Sequence, residues 1–308
     1  MRITPLLKTC IPSVFVVMSC HVNPIEEIPT DVRIVSFIAD AIIDDDGTKS
    51  SFNDSNGNFY WEQDDTVGIF PDVGSQIYFE MNSGAGTSSA TFTGGGWDLK
   101  TSSSYYSYYP FIGNIYLNRN KIPVSYLGQK QLEPNATNHV GPVDFMYADS
   151  EMDANTGSVN FHYHHLSTFI RLLLTLPAGT YTKLALTSPD ADFMTEGFYD
   201  LLASTPKLTG TKFSKQLVLD FEPITLTTTS TFTVYLAAAP VNLSGKELTV
   251  SVLNAERKEY QCKKTPSAEY LAGHRRGLTC SSFTEVPQTM GLIIDDWDDG
   301  GNIGGDAE

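Results

Sequence analysis

The sequence is 308 residues long and carries a net charge of −16, from 36 acidic and 20 basic side chains. That length suits two domains of ordinary size, each able to hold its own core. No basic stripe is available to neutralise phosphates, so a nucleic-acid partner is excluded and the acidity reads as a solvated exterior. An apolar fraction of 41% supports a folded chain, and 15 Tyr, 17 Phe and abundant Thr and Ser favour strands, because such side chains pack well on a pleated surface.

At the N-terminus Arg2 and Lys8 precede an apolar run, residues 11–18, too short to cross a bilayer as a helix. Val17-Met18-Ser19-Cys20 resembles a lipobox, the cleavage site of bacterial lipoprotein signal peptides. The resemblance implies removal of residues 1–19 and acylation of Cys20, with lipid such as palmitate holding the protein to a membrane. The alternative is an ordinary secretory peptide with an incidental cysteine; either way the folded part lies outside the cytoplasm. Cys10 leaves with the signal peptide, so Cys262 and Cys280 remain, and in an oxidising compartment they could pair. A bridge would close a loop of about 18 residues and contribute on the order of 3 kcal/mol in the chain-entropy model. Spacing leaves open whether their Cβ atoms meet. Neither cysteine belongs to a Cys-x-x-Cys pair, which argues against zinc.

Residues 20–31 read as an extended tether containing two prolines. Residues 32–43 are apolar on both parities, as expected of a strand buried on both faces, and end in Asp44-Asp45-Asp46-Gly47. Short strand candidates follow at 66–70, 76–81, around Ala90 and Phe92, at 105–111 and at 122–127. A long one spans 159–176 and stops at Pro177-Ala178-Gly179, where the domain boundary is placed. Further candidates lie at 183–187, 216–221, 231–238, 246–253, 259–263, 278–283 and 289–297. No long amphipathic helix with caps is visible. The expected architecture is all-β with two tandem β-sandwiches, residues 32–177 and 178–308, the second ending in an Asp/Gly-rich tail.

Catalytic signatures are absent: no phosphate-binding glycine loop, nucleophile elbow or His-Glu-x-x-His helix is present. His162 and His164 would share a strand face, but no third ligand has recognisable spacing, and packing is the expected role of the histidines. Residues 295–300, Asp-Asp-Trp-Asp-Asp-Gly, lack the alternation of a calcium loop. No pair of carboxylates stands out for glycoside hydrolysis. No cofactor, no metal and no enzymatic activity are therefore expected. Trp97, Tyr105 and Tyr106 could form a stacking platform for sugars, which leaves a surface glycan-binding lipoprotein as the alternative function.

Several residues, taken in order, resemble the fimbrillin family of Bacteroidetes, the FimA-like and Mfa-like pilins. They are Cys20, the strand around Ile34 to Ala39, Thr48-Lys49 before Phe52, and Trp61-x-x-x-Asp65-x-Val67-Gly68-Ile69-Phe70. Tyr108-Tyr109-Pro110 follows, then Val159-x-Phe161-x-x-x-His165-Leu166 and Phe193-x-x-x-Gly197-x-Tyr199. Val234-Tyr235-Leu236 with Pro240, and Ile294-x-x-Trp297, complete the set. The resemblance implies transthyretin-like sandwiches and export as an outer-membrane lipoprotein. It also implies a non-catalytic fimbrial subunit or adhesin, whose partners are other fimbrial subunits and host or bacterial surface receptors. It further implies trypsin-like cleavage that frees the first strand, after which a neighbour's strand fills the groove. Lys49 is the expected cleavage site, being the only basic residue between Arg33 and Trp61, with Arg33 second. Residues 298–308, with Ile303 the only large apolar side chain, would fill a groove poorly, so stalk, anchor and tip positions all stay open.

Overall fold

A computed structural model of the protein describes residues 36–41, 51–52, 59–94, 102, 104–113, 117–153 and 158–287. They lie in one compact unit, Arg33–Glu308; a separate unit, Met1–Val32, falls outside the described residues. In chain order the strands begin with β1 (Ser36–Ala41), β2 (Ser51–Phe52), β3 (Phe59–Tyr60), β4 (Thr66–Pro71) and β5 (Ile77–Ser83). Next come β6 (Ser89–Gly94), β7 (Tyr105–Tyr109), β8 (Ile122–Ser125), β9 (Lys130–Gln131) and a 3-10 helix, Asn138–Val143. β10 (Met146–Asp153), β11 (Ser158–His165), β12 (Thr168–Leu176), β13 (Gly179–Thr187) and β14 (Phe193–Tyr199) follow. The series ends with β15 (Thr209–Ser214), β16 (Gln216–Leu226), β17 (Ser230–Ala238), β18 (Leu248–Asn254), β19 (Glu259–Lys264), β20 (Arg275–Cys280) and β21 (Thr284–Val286). The all-β expectation holds.

Seven strands close on themselves in the order β1-β11-β10-β7-β4-β5-β6. β1 makes the closure, running parallel to β11 and antiparallel to β6, so this sheet has no free edge. Its interior follows from period-2 alternation: Val67 and Ile69 from β4, Phe92 from β6, and Val159, Phe161 and Tyr163 from β11 point inward. At the centre Trp61, fully buried, meets Phe92, Tyr109 and Tyr163 edge-on, with ring centroids 5.1, 5.4 and 5.4 Å away.

The second half is a sandwich of a three-stranded sheet, β17-β12-β20, on a six-stranded one, β21-β19-β18-β13-β16-β9. Ile170, Leu172, Leu174 and Leu176 of β12 interleave with Leu184 and Leu186 of β13 and Leu217 and Leu219 of β16. A third core joins the other faces of the same strands. Tyr108 of β7, Phe169 of β12 and Tyr235 of β17 pack together with Tyr126, Phe145 and Leu166. The tyrosine run of β7 is thus buried on both parities, with Tyr105 and Tyr109 in the barrel and Tyr108 outside it.

Residues 159–176, which read as one strand, are two. β11 belongs to the barrel and β12 to the sandwich, with the chain crossing at Leu166 and Ser167. The crossing is held by the Ser167 hydroxyl, which donates to the Val143 carbonyl and accepts from the Phe145 N–H, both at 3.0 Å. β12 therefore hydrogen-bonds with strands on the far side of Pro177, while β8 and β9 reach across to β14 and β16. β10, β14 and β15 lie where no alternation had marked a strand.

Replacing Trp61 with Ala should cost about 3–5 kcal/mol, the usual range for emptying a large aromatic site, whereas Val73→Ala, at a side chain 78% exposed, should stay within about 0.5 kcal/mol. Denaturant unfolding of the two variants checks this.

Candidate assembly surface

β1 touches the rest of the barrel along both of its main-chain edges. Phe37, Ala39 and Ala41 are in register with Val159, Phe161 and Tyr163 of β11, and Phe37 and Ala39 also with Phe92 and Ala90 of β6. Val159, Phe161, Phe92 and Ala90 are buried in the barrel. A barrel lacking this strand would present two parallel rows of unpaired N–H and C=O groups above an apolar floor, which is the requirement for accepting an extended segment. Of the expected first strand, residues 32–43, positions 36–41 are described and form β1. Cys20, Arg33 and Lys49 lie outside the described residues, as do Trp97 and everything after residue 287.

The cysteines do come together. Cys262 on β19 and Cys280 at the end of β20 belong to opposite sheets and are buried in the same core as free thiols. Burial, followed by the adjacent Cys262 thiol, pushes the Cys280 thiol up to about 12. The histidine run contributes pairing and packing instead. His164 lies 2.8 Å from an Asp149 carboxylate oxygen and stacks on Tyr147, and His165 lies 3.0 Å from the buried Asp144. Among the described residues no three potential ligands converge on a metal position. Tyr105 is unavailable to a sugar because its parity of β7 faces the barrel interior; Tyr106 is covered by the Arg119 guanidinium, 5.4 Å from the ring centroid.

A cleft of about 930 Å³ lies between the loop of Glu62 to Asp65, the end of β7 and strands β8 and β14. Two of its carboxylates are engaged in structural contacts: Asp65 accepts from the Glu62 N–H at 2.7 Å and the Tyr109 hydroxyl at 2.8 Å, and Glu196 pairs with Lys212 at 3.1 Å. A smaller hollow of about 460 Å³ is lined by Leu127, Lys130, Leu132 and His139. His139 Nε2 lies 2.9 Å from the Tyr235 carbonyl, which fits a neutral ring donating from Nε2. Its Nδ1 is buried with no hydrogen-bond partner among the described residues. Burial holds the His139 pKa below its ordinary value, opposed by the Tyr235 hydrogen bond. Lys130, Leu132 and His139 were not singled out by the sequence, because Gly128-Gln129-Lys130-Gln131 reads as a polar loop.

The family model of fimbrillin-like proteins matches residues 48–297. No curated protein sequence matches. Among solved structures, a candidate cell-adhesion protein of Bacteroides uniformis is similar at 16% identity with a TM-score of 0.52, covering 84% of this chain and 98% of that one. A candidate cell-adhesion protein of Bacteroides ovatus aligns at 14% identity and TM-score 0.53, covering 83% and 96%. At these identities the likeness is one of fold. The C-terminally truncated tip fimbrial protein Mfa3 of Porphyromonas gingivalis aligns at 11% identity, covering 83% of this chain and 96% of its own, with a TM-score of 0.39 that is too low to bear on function.

The depressed pKa of His139 sets the sign of a pH effect. The unfolded chain, with an imidazole pKa of about 6.5, takes up a proton before the folded one does. The contribution of this site is complete above about pH 6.5 and declines as pH falls from there towards the folded pKa. Urea midpoints measured from pH 7 down to pH 5.5 should therefore fall more steeply for the native chain than for His139→Gln.

Proposed function

The chain belongs to the fimbrillin-like family, and from that premise we propose that it enters a fimbrium by giving up β1 and accepting a neighbour's strand in the vacated seam. Membership makes it a structural, non-enzymatic fimbrial subunit or adhesin of the cell surface. The observation that carries the finer reading is the position of β1, bonded on both edges and filling the gap between β6 and β11. A strand so placed can be replaced by any extended segment that offers the same main-chain groups, with alternate side chains for the same floor. Cleavage after Lys49 would free it, whereas a cut after Arg33, the second site, falls before β1 and would release only the tether; lipid on Cys20 would hold the unprocessed subunit at the outer membrane. Partners in this reading are other fimbrial subunits and surface receptors.

Peptide mapping of protein extracted from the cell surface tests the proposal. SDS-stable polymers should carry a new N-terminus at Ser50, and Lys49→Ala should abolish both the new end and the polymers. Polymers whose subunits still begin at Cys20 would refute it.

We also infer that Cys262 and Cys280 are bridged in the exported protein. Thiol–disulfide exchange with a disulfide-bearing oxidant of the envelope would take two protons and two electrons from the pair, form one S–S bond and leave the oxidant as its dithiol. Both thiols are buried in the folded core, so the exchange belongs to folding, before the two sheets close. Unreduced protein should be about 2 Da lighter than its dithiol form and take up no alkylating reagent in denaturant. Two alkyl groups on protein recovered from the envelope would overturn the inference.

A further inference from the structure

Among the described residues β17 is an edge strand, flanked by β12 on one side and by no strand on the other. From residue 233 to residue 237 its outward main-chain groups are nevertheless bonded, chiefly by side chains. Gln129 donates from Nε2 to the Ala237 carbonyl at 2.9 Å and accepts the Ala237 N–H on Oε1 at 2.8 Å. Gln131 donates to the Thr233 carbonyl at 3.0 Å and accepts the Tyr235 N–H at 3.1 Å. Asn135 accepts the Thr233 N–H at 2.8 Å, its own N–H donates to the Thr233 carbonyl at 3.1 Å, and His139 Nε2 takes the Tyr235 carbonyl. Both N–H and C=O of residues 233, 235 and 237 are thereby accounted for.

The chemistry and the spacing explain one another. A side-chain amide carries the same donor and acceptor as a peptide group. Residues two apart on a strand share a face, so Gln129 and Gln131 step along β17 at the interval of its outward groups. Their own main chain is engaged elsewhere: β9 pairs parallel with β16 in the opposite sheet, and the Asp220 N–H donates to the Gln129 carbonyl at 3.0 Å. The segment 129–139 thus bridges the two sheets, with its β9 backbone in one and its amide side chains along the edge of the other.

We propose that this segment is a strand surrogate whose role is to keep β17 from pairing with β17 of a second copy of the chain. The sequence of the strand names that occupant. Ser230-Thr-Phe-Thr-Val-Tyr-Leu-Ala-Ala238 contains no charge and no proline, so it has none of the usual protections of an exposed edge. An uncharged nine-residue edge is complementary to itself in antiparallel register, and such pairing generates a two-fold dimer. The inference stands whether or not β1 is exchanged.

The test uses the full chain bearing Gln129→Ala and Gln131→Ala. In sedimentation the native chain should run as a monomer and the variant as a species of twice the mass. Hydrogen exchange at Tyr235 and Ala237 should be fast in dilute variant and slow once it associates. Adding Thr231→Lys, a charge at an exposed position of the same strand, should return the variant to monomer. Should the double variant fail to fold, Gln131→Glu, which keeps volume and acceptor but loses the donor, should show the same association at higher concentration. A folded variant that remains monomeric, or that pairs while its β17 amides exchange freely, overturns the proposal. Association only upon adding an extended peptide from another protein would overturn the choice of a second copy.

Discussion

A chain built almost wholly of strands must find partners for the main-chain groups at the edges of its sheets. Unpaired edges are both costly to bury and inviting to other chains. Two solutions appear here. The barrel disposes of its edges by curling until β1 can bond to β6 and β11 together. The sandwich cannot curl, because its two sheets face each other across a filled layer of leucines and valines, so β17 keeps an edge that side-chain amides then occupy.

These closures sit on a body whose halves share a third core. β7 and β17 each place one parity in their own sheet's interior and residues of the other in that shared layer, to which β12 adds Phe169. Few of their residues can therefore change without being felt on both sides, since interiors are packed to crystal density. β1 differs: all its pairing is with β6 and β11, neither of which lends a buried residue to the shared layer.

Much of this was legible in the sequence and some was not, for definite reasons. Alternation marked β5, β16 and β18 to within a few residues, because each has one face on an apolar core and a second face that is more open, and β17 was marked too although both of its faces are buried. It failed at residues 159–176, where the chain changes sheets without a glycine or proline. Ser167 makes the change affordable in hydrogen bonds through residues 143 and 145, and a contact 22 residues away leaves no local mark. Of the groups at the assembly surface, the double apolar parity of residues 32–43 was visible. The amide ladder was not, since Gln129 and Gln131 look like loop residues until β17, more than a hundred positions later, is laid beside them. The cysteine pair lay between these cases: the cysteine count left Cys262 and Cys280 as possible partners, and only the placement of β19 and β20 on opposite sheets brings the thiols into one core.

The two closures also differ in what an exchange would leave behind, and this decides which edge is open to a partner. Replacing β1 with another strand trades main-chain bonds for main-chain bonds, and no group on β6 or β11 loses a partner. Displacing residues 129–139 from β17 would take from two glutamines, 3% and 0% exposed, the N–H groups that their amide oxygens accept, leaving them only the bonds from Nε2 to the Tyr126 and Glu133 carbonyls. Each buried amide left unsatisfied costs about 1–3 kcal/mol, so an incoming strand would meet a penalty of several kcal/mol before forming any bond of its own. Replacement by a second strand therefore costs least at the edge closed by backbone and most at the edge closed by side chains.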